Sequence, residues 1–161
     1  MREVGEKCGI FGIYGKGFDA SRLTFFGLYA LQHRGQESSG IASSDGKKII
    51  CYKDTGLVSQ VFNEETISSL TGHMALGHNR YSTSKGTGLK HAQPVEVKDG
   101  SLVLVHNGNL PHTKLLESFL TKRGVDSTDL SDSAMVAEAV YSLTKSGIEI
   151  EIPQKHRGNK P

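Results

Sequence analysis

The dipeptide Asp45-Gly46, set between residues 40–44 and 47–53, is the strongest short-range folding signal in the chain. Its flanks carry Ile, Ala, Cys and Tyr, and Asp-Gly is the pair that a two-residue hairpin demands, because both central positions then need positive φ. At least part of the chain is thereby committed to an antiparallel sheet. Residues 10–14 read as a further buried strand, apolar on consecutive positions and broken by glycine. Residues 74–82 and 101–106 add two more, the last with Leu102, Val103, Leu104 and Val105 in a row.

Between the strands lie helical patterns. Gly15 and Gly17 supply a turn, after which Asp19 or Ser21 can cap a helix. Leu23, Phe26, Gly27, Ala30 and Leu31 then fall at i, i+3, i+4, i+7 and i+8, the expected inward face, with Gly27 implying close approach of a neighbouring element. Residues 63–70 read as a short helix. Residues 112–123 form an amphipathic one on Leu115, Leu116, Phe119 and Leu120, stopped by Gly124. Residues 131–145 form another, with Met135, Val136, Ala139, Val140 and Leu143 inward. Residues 84–88 are glycine-rich and polar, a loop signal. The strand-rich first part followed by two consecutive helices predicts an α+β domain with largely antiparallel sheets. Residues 148–152, alternating Ile and Glu before Pro153, read as the start of one more strand ahead of a polar tail.

Length and charge narrow the classes. At 161 residues the chain has one domain's worth of core, and 22% charged with 36% hydrophobic residues is ordinary globular composition. A formal net charge of +2 gives no electrostatic case for nucleic acid or a membrane surface. Two cysteines, Cys8 and Cys51, make neither a disulfide framework nor a CxxC pair, so a reducing cytoplasmic setting is expected. The seven histidines show no HExxH or paired-ligand spacing, and no metal site is expected. Cys51, within Ile49-Ile50-Cys51-Tyr52, reads as a core filler.

Cys8 is different. It lies close enough to the start to become the first residue if residues 1–7 are removed. A thiol and an α-amino group on one residue form a nucleophile with its own general base, since the amine titrates at about 7.7–8.0. The competing reading is a small hydrophobe at the head of an apolar strand.

Five polar, glycine-bearing segments interrupt the apolar elements: Gln32-His33-Arg34-Gly35-Gln36-Glu37, His78-Asn79-Arg80-Tyr81-Ser82-Thr83, Gln93-Pro94, His106-Asn107-Gly108-Asn109-Leu110 and Ser131-Asp132-Ser133. Each falls where a helix or strand ends, the usual place for a site. Together with Cys8 they resemble the glutamine amidotransferases with an N-terminal cysteine, the class II or Ntn type. The wording Gln32-His33-Arg34-Gly35-Gln36-Glu37, with Gly56-Leu57-Val58-Ser59-Gln60-Val61-Phe62, is most similar to the glutaminase half of the amidophosphoribosyltransferases. The resemblance covers residues 7–147.

The resemblance implies a four-layer α/β/β/α sandwich of two antiparallel sheets, incomplete at the C-terminus. It implies a leader over residues 1–7 removed to expose Cys8, an amidotransferase domain over residues 8–147, and a divergent tail over residues 148–161. Cys8 would attack the side-chain amide of L-glutamine, and the Asn107 side chain with the Gly108 N–H would receive the oxyanion. A tight turn after a strand is the other reading of Asn107-Gly108. Arg80 would grip the glutamine α-carboxylate in a bidentate fork, with Thr83 beside it. Asp132 would anchor the α-ammonium, against the simpler reading of a helix N-cap. Arg34 and Gly35 would line the nucleophile, and Tyr81 matches a position the family associates with communication between its two sites.

The resemblance stops there. A phosphoribosyltransferase domain, with its magnesium and pyrophosphate motif, is not found in the sequence, so no cofactor is expected here and such a domain or subunit becomes the expected partner, in a homo- or hetero-association. Two functions remain open at this point. One is a glutaminase supplying ammonia for phosphoribosylamine formation in purine synthesis; the other is a non-catalytic remnant or glutamine-binding regulatory module.

Overall fold

The computed structural model describes residues 8–81, 88–97 and 100–147. The expected leader over 1–7, residues 82–87, which include Thr83 and most of the loop expected over 84–88, and residues 148–161, with the strand expected over 148–152, lie outside the described residues.

Four strands form one antiparallel sheet in the order β1-β4-β2-β3: β1 (Gly9–Tyr14), β2 (Ser38–Ser44), β3 (Ile49–Thr55) and β4 (Met74–Arg80). The β2–β3 hairpin exists, but with a longer loop than the dipeptide predicts. Ser44 pairs with Ile49, which leaves four residues in the turn. Asp45 explains the lengthening, since its Oδ1 accepts from both Lys47 N and Lys48 N at 2.9 Å and Gly46 takes φ 89°. An acidic side chain that can cap two amides stabilises the wider turn.

Helix α1 (Ala20–Ala30) is capped by Asp19, which accepts from Arg22 N, and packs on β1, β4 and β2. It does not use the face that apolar spacing predicts. Ala20, Ser21, Thr24 and Leu28 are buried, whereas Leu23, Phe26 and Tyr29 are exposed. Small residues face the sheet because the approach is close: a Cβ on Gly77 would stand 2.6 Å from Thr24 Cγ2, and one on Gly27 would stand 2.3 Å from the Phe11 ring. The close approach expected at Gly27 is therefore real, and Phe11 is what approaches. Two short helices, α2 (Val58–Val61) and α3 (Glu64–Ser69), complete this side, contributing Val58, Val61 and Ile67 to a core with Leu28, Ile41 and Ala75. Asn63 and Thr66 form a reciprocal capping box at the start of α3.

The opposite face of the sheet meets a second, two-stranded antiparallel sheet, β5 (Val95–Val97) with β6 (Leu102–Leu104). Lys53 Nζ donates to Pro94 O at 2.6 Å, and a Cβ on Gly40 would collide with Gln93 O, so the segment entering β5 rests on β2 and β3. The strand predicted over 101–106 keeps only three ladder residues, and β5 goes unforeseen. Helix α5 (Asp132–Lys145) packs on β5 and β6, and α4 (Lys114–Thr121) packs on α5 through a second core of Leu120, Met135 and Ala139. Leu115, expected inside, is 89% exposed. Gly124, at φ 74°, ends the α4 segment as predicted. The part of the first sheet that β5 and β6 leave uncovered forms an apolar groove of about 450 Å³, lined by Gly12, Tyr14, Ala42, Leu76 and Val103 among others.

No described helix is long and apolar enough to cross a membrane.

Candidate active site

Cys8 stands immediately before β1, at the edge of the sheet where β4 ends and the loop after β6 returns. Three groups from distant parts of the chain meet it. Arg34 Nε donates to Cys8 O at 3.0 Å, the Asn107 side-chain amide donates to the same oxygen at 3.1 Å, and Tyr81 N lies 3.5 Å from Sγ. A carbonyl with two such donors is fixed firmly, and the Tyr81 N–H is the group that reaches the sulfur itself.

Each donor has a local reason to be there. Asn79 is fully buried in β4; its Nδ2 donates to Leu28 O, satisfying a carbonyl in the last turn of α1, and its Oδ1 accepts from Ser39 Oγ. The chain leaving α1 then makes a 3-10 turn over Gln32–Arg34, held by Gln32, whose Oε1 accepts from Val58 N at 2.7 Å while its Nε2 donates to Gly35 O. Gly35 presses on the backbone of Asn79 and Arg80, where a Cβ would come within 2.7 Å. Only a residue without a side chain permits that contact, and it brings Arg34 to Cys8.

Arg80 ends β4 and is paired with Glu37, Nη1 to Oε1 at 2.7 Å, both side chains being largely buried at 15% and 17% exposure. Glu37 Oε1 also accepts from Gly88 N at 3.3 Å. A substrate carboxylate at Arg80 would therefore share the guanidinium with Glu37, a partner that the sequence motif contains but whose bond no spacing reveals.

The other wall is the loop from His106 to Leu110. Gly108 faces the His106 ring, with 2.8 Å from an added Cβ to Nε2, so a larger residue there would have to push that ring aside. Asp132 is not the helix cap: Ser131 caps α5 by accepting from Ala134 N, and Asp132 occupies the first helical position. Its Oδ2 accepts from Leu110 N at 3.0 Å and its Oδ1 from Ser133 N at 2.7 Å, tying the loop to the helix start. The structure thus brings Cys8, Arg34, Asn107 and the Arg80-Tyr81 backbone together directly, with Gly35 against Arg80 and Asp132 reaching the group through Leu110. Gln93, His106 and Ser133, which lie in the polar segments singled out above but carry no individual role in that reading, also bond one another beside this loop.

His78, next to Asn79 in β4, is fully buried, and among the described residues neither ring nitrogen makes a well-formed hydrogen bond, the His106 main chain being near but poorly aligned. Burial pushes its pKa down to about 4, against a weaker upward pull from the His106 main chain. Cys51 is the electrostatic opposite of a nucleophile: burial first, then Glu96, pushes its thiol up to about 12. Among the described residues no group of three or more His, Cys, Asp or Glu forms a cluster able to hold a metal ion.

No family model matches the chain. It is 44% identical over 144 residues to an amidophosphoribosyltransferase of Synechococcus elongatus, covering 88% of this chain and 29% of that protein. It is 47% identical over 145 residues to the Synechocystis protein of the same name, with the same coverage, and 38% identical over 143 residues to that of Bacillus subtilis. Among solved structures, the Bacillus subtilis glutamine phosphoribosylpyrophosphate amidotransferase complexed with ADP and GMP matches with TM-score 0.70 at 37% identity, over 83% of this chain and 29% of that one. A second, described as the allosteric regulatory enzyme of purine biosynthesis, matches with TM-score 0.75 at 36% identity, over 89% of this chain and 30% of that one. The chain spans under a third of the length of the curated relatives it matches.

Proposed function

The chain is homologous to the N-terminal portion, about 30%, of amidophosphoribosyltransferase, its glutamine amidotransferase domain, at 38–53% identity, and on that premise we propose that residues 8–147 hydrolyse glutamine through Cys8. The observation that carries this reading is the convergence of Arg34 Nε and Asn107 Nδ2 on the Cys8 carbonyl. Donors fixed before the substrate arrives cost no reorganisation when charge develops.

In the proposed reaction, removal of residues 1–7 frees the Cys8 α-amine. The thiol attacks the glutamine amide carbon and its proton passes to that amine. Asn107 Nδ2 and Gly108 N–H receive the oxyanion of the tetrahedral intermediate. Collapse breaks the C–N bond, the amine returns its proton to the departing nitrogen, and ammonia leaves behind a γ-glutamyl thioester. Water, deprotonated by the same amine, then cleaves the thioester and releases glutamate. Arg80 holds the α-carboxylate, Asp132 the α-ammonium, and Thr83, Arg34 and Gly35 complete the pocket.

The fold proposed to carry this chemistry is the four-layer sandwich, α1 and the α4–α5 pair being the outer layers. Further strands of such a sandwich would lie along the groove beside Gly12 and Leu76. The ammonia would serve a phosphoribosyltransferase domain or subunit, for phosphoribosylamine formation in cytoplasmic purine synthesis, and magnesium would belong to that partner.

The test is direct. Purified protein incubated with glutamine should release glutamate and ammonium in equal amounts, and Cys8→Ala should release neither. Glutamine binding without turnover in the processed wild type would contradict this reading and favour a glutamine-binding regulatory module.

A further inference from the structure

We infer that Gln93 is a positioning residue for the Asn107–Gly108 pair, acting by bracketing the main chain of His106; the inference rests on the glutaminase reading above. Gln93 is 8% exposed. Its Oε1 accepts from His106 N at 2.7 Å, while its Nε2 donates to His106 O at 3.2 Å and to Ser133 Oγ at 3.3 Å. A glutamine side-chain amide presents the same donor and acceptor as a peptide unit. Here it satisfies both main-chain groups of one residue, as a neighbouring strand would.

That substitute is needed because strand β6 ends at Leu104, two residues short of His106. No ladder reaches the loop that carries the proposed oxyanion donors. The bracket is itself anchored. A Cβ on Gly40 would stand 2.1 Å from Gln93 O and 2.8 Å from Pro94 Cδ, so the Gln93-Pro94 backbone lies directly on β2, and Lys53 Nζ holds Pro94 O from β3. On the far side Ser133, 4% exposed at the start of α5, takes the second Nε2 bond and meets His106 Nδ1 at 3.1 Å. At the loop's other end Asp132 Oδ2 accepts from Leu110 N. Asn107 and Gly108 are thus suspended between two side-chain clamps, and Gln93 is the one that references them to the sheet whose edge bears Cys8.

A shift of about 1 Å in a transition-state donor costs on the order of 100-fold in rate, with little effect on ground-state binding. Gln93→Met keeps the volume and removes all three bonds. It should lower kcat for glutamine hydrolysis by about 10- to 100-fold with KM within about threefold of wild type, and accelerate amide hydrogen exchange at His106–Gly108 by at least about tenfold. Gln93→Glu supplies the independent variant: its protonated carboxyl again offers one donor and one acceptor, its carboxylate only acceptors. Its kcat relative to wild type should rise as pH falls through that carboxyl's pKa, which loss of packing alone would not produce. A Gln93→Met protein with kcat within twofold of wild type and unchanged exchange at His106–Gly108 would overturn the inference, as would a Gln93→Glu protein whose relative kcat is flat with pH. If wild type with Cys8 at its N-terminus hydrolyses no glutamine, the glutaminase reading fails, and the exchange rates alone decide whether Gln93 holds the loop.

Discussion

The side-chain amide of Asn107 donates to the main-chain carbonyl of Cys8 at 3.1 Å, across 99 positions of sequence. This bond places an N–H donor beside the nucleophile before any substrate is present. Asn107→Ala should therefore reduce kcat about 10²- to 10³-fold, the cost of losing one oxyanion donor, with KM changed far less. Steady-state glutaminase kinetics read this out, and a rise in KM at constant kcat would assign Asn107 to ground-state binding instead.

Arg80 is the proposed grip on the glutamine carboxylate and is already oriented by Glu37 at 2.7 Å. Lysine keeps the charge but loses the planar fork. Arg80→Lys should raise KM by about 10- to 100-fold, as expected for weakened charge-assisted hydrogen bonds, and leave kcat largely intact. Unchanged KM would remove Arg80 from the substrate site.

His78 makes the fold acid-sensitive in a defined window. Its pKa is 6.5 when exposed and about 4 in the folded chain, with burial as the main cause. Between those values the unfolded state binds more protons, so the folded state loses stability as pH falls from about 6.5 towards 4, by about 3 kcal/mol in all. Urea unfolding at a series of pH values should show this slope in wild type. In His78→Gln the dependence over the same window should be shallower by that amount, and parallel curves would contradict the burial argument.

The two cysteines should separate chemically. With its thiol pushed up to about 12, Cys51 carries almost no thiolate at neutral pH. Iodoacetamide labelling of the folded protein at pH 8 should fall on Cys8, and Cys8→Ala should be labelled only after denaturation. Rapid labelling of Cys51 in folded Cys8→Ala would contradict the environment described for it.

Much of this architecture is legible in the sequence because local chemistry enforces it. Asp45-Gly46 announces the β2–β3 hairpin, Asp19 caps α1, and Gly124 ends the α4 segment. The face of α1 is not legible. Leu23 and Phe26 have helical apolar spacing, yet glycine on β4 admits Thr24 and Leu28 instead, and that preference depends on a strand about 50 residues away. β5 and α2, at three and four residues, are too short for periodicity to register. In the site, Cys8, Arg34 and Asn107 carry recognisable motifs and do meet. The Gln93–His106 and Glu37–Arg80 bonds join groups 13 and 43 positions apart, and no pattern in one chain encodes such pairings.

Cys8 with a free α-amine is the premise on which every catalytic step above depends. Intact-mass measurement of the purified protein, paired with glutamate release from glutamine by the same sample, tests it most directly. Protein whose mass begins at Cys8 should hydrolyse glutamine, and protein that retains Met1 to Lys7 should not, because its Cys8 nitrogen is an amide without basicity. Equal turnover by the form that retains those residues would contradict the N-terminal-nucleophile mechanism.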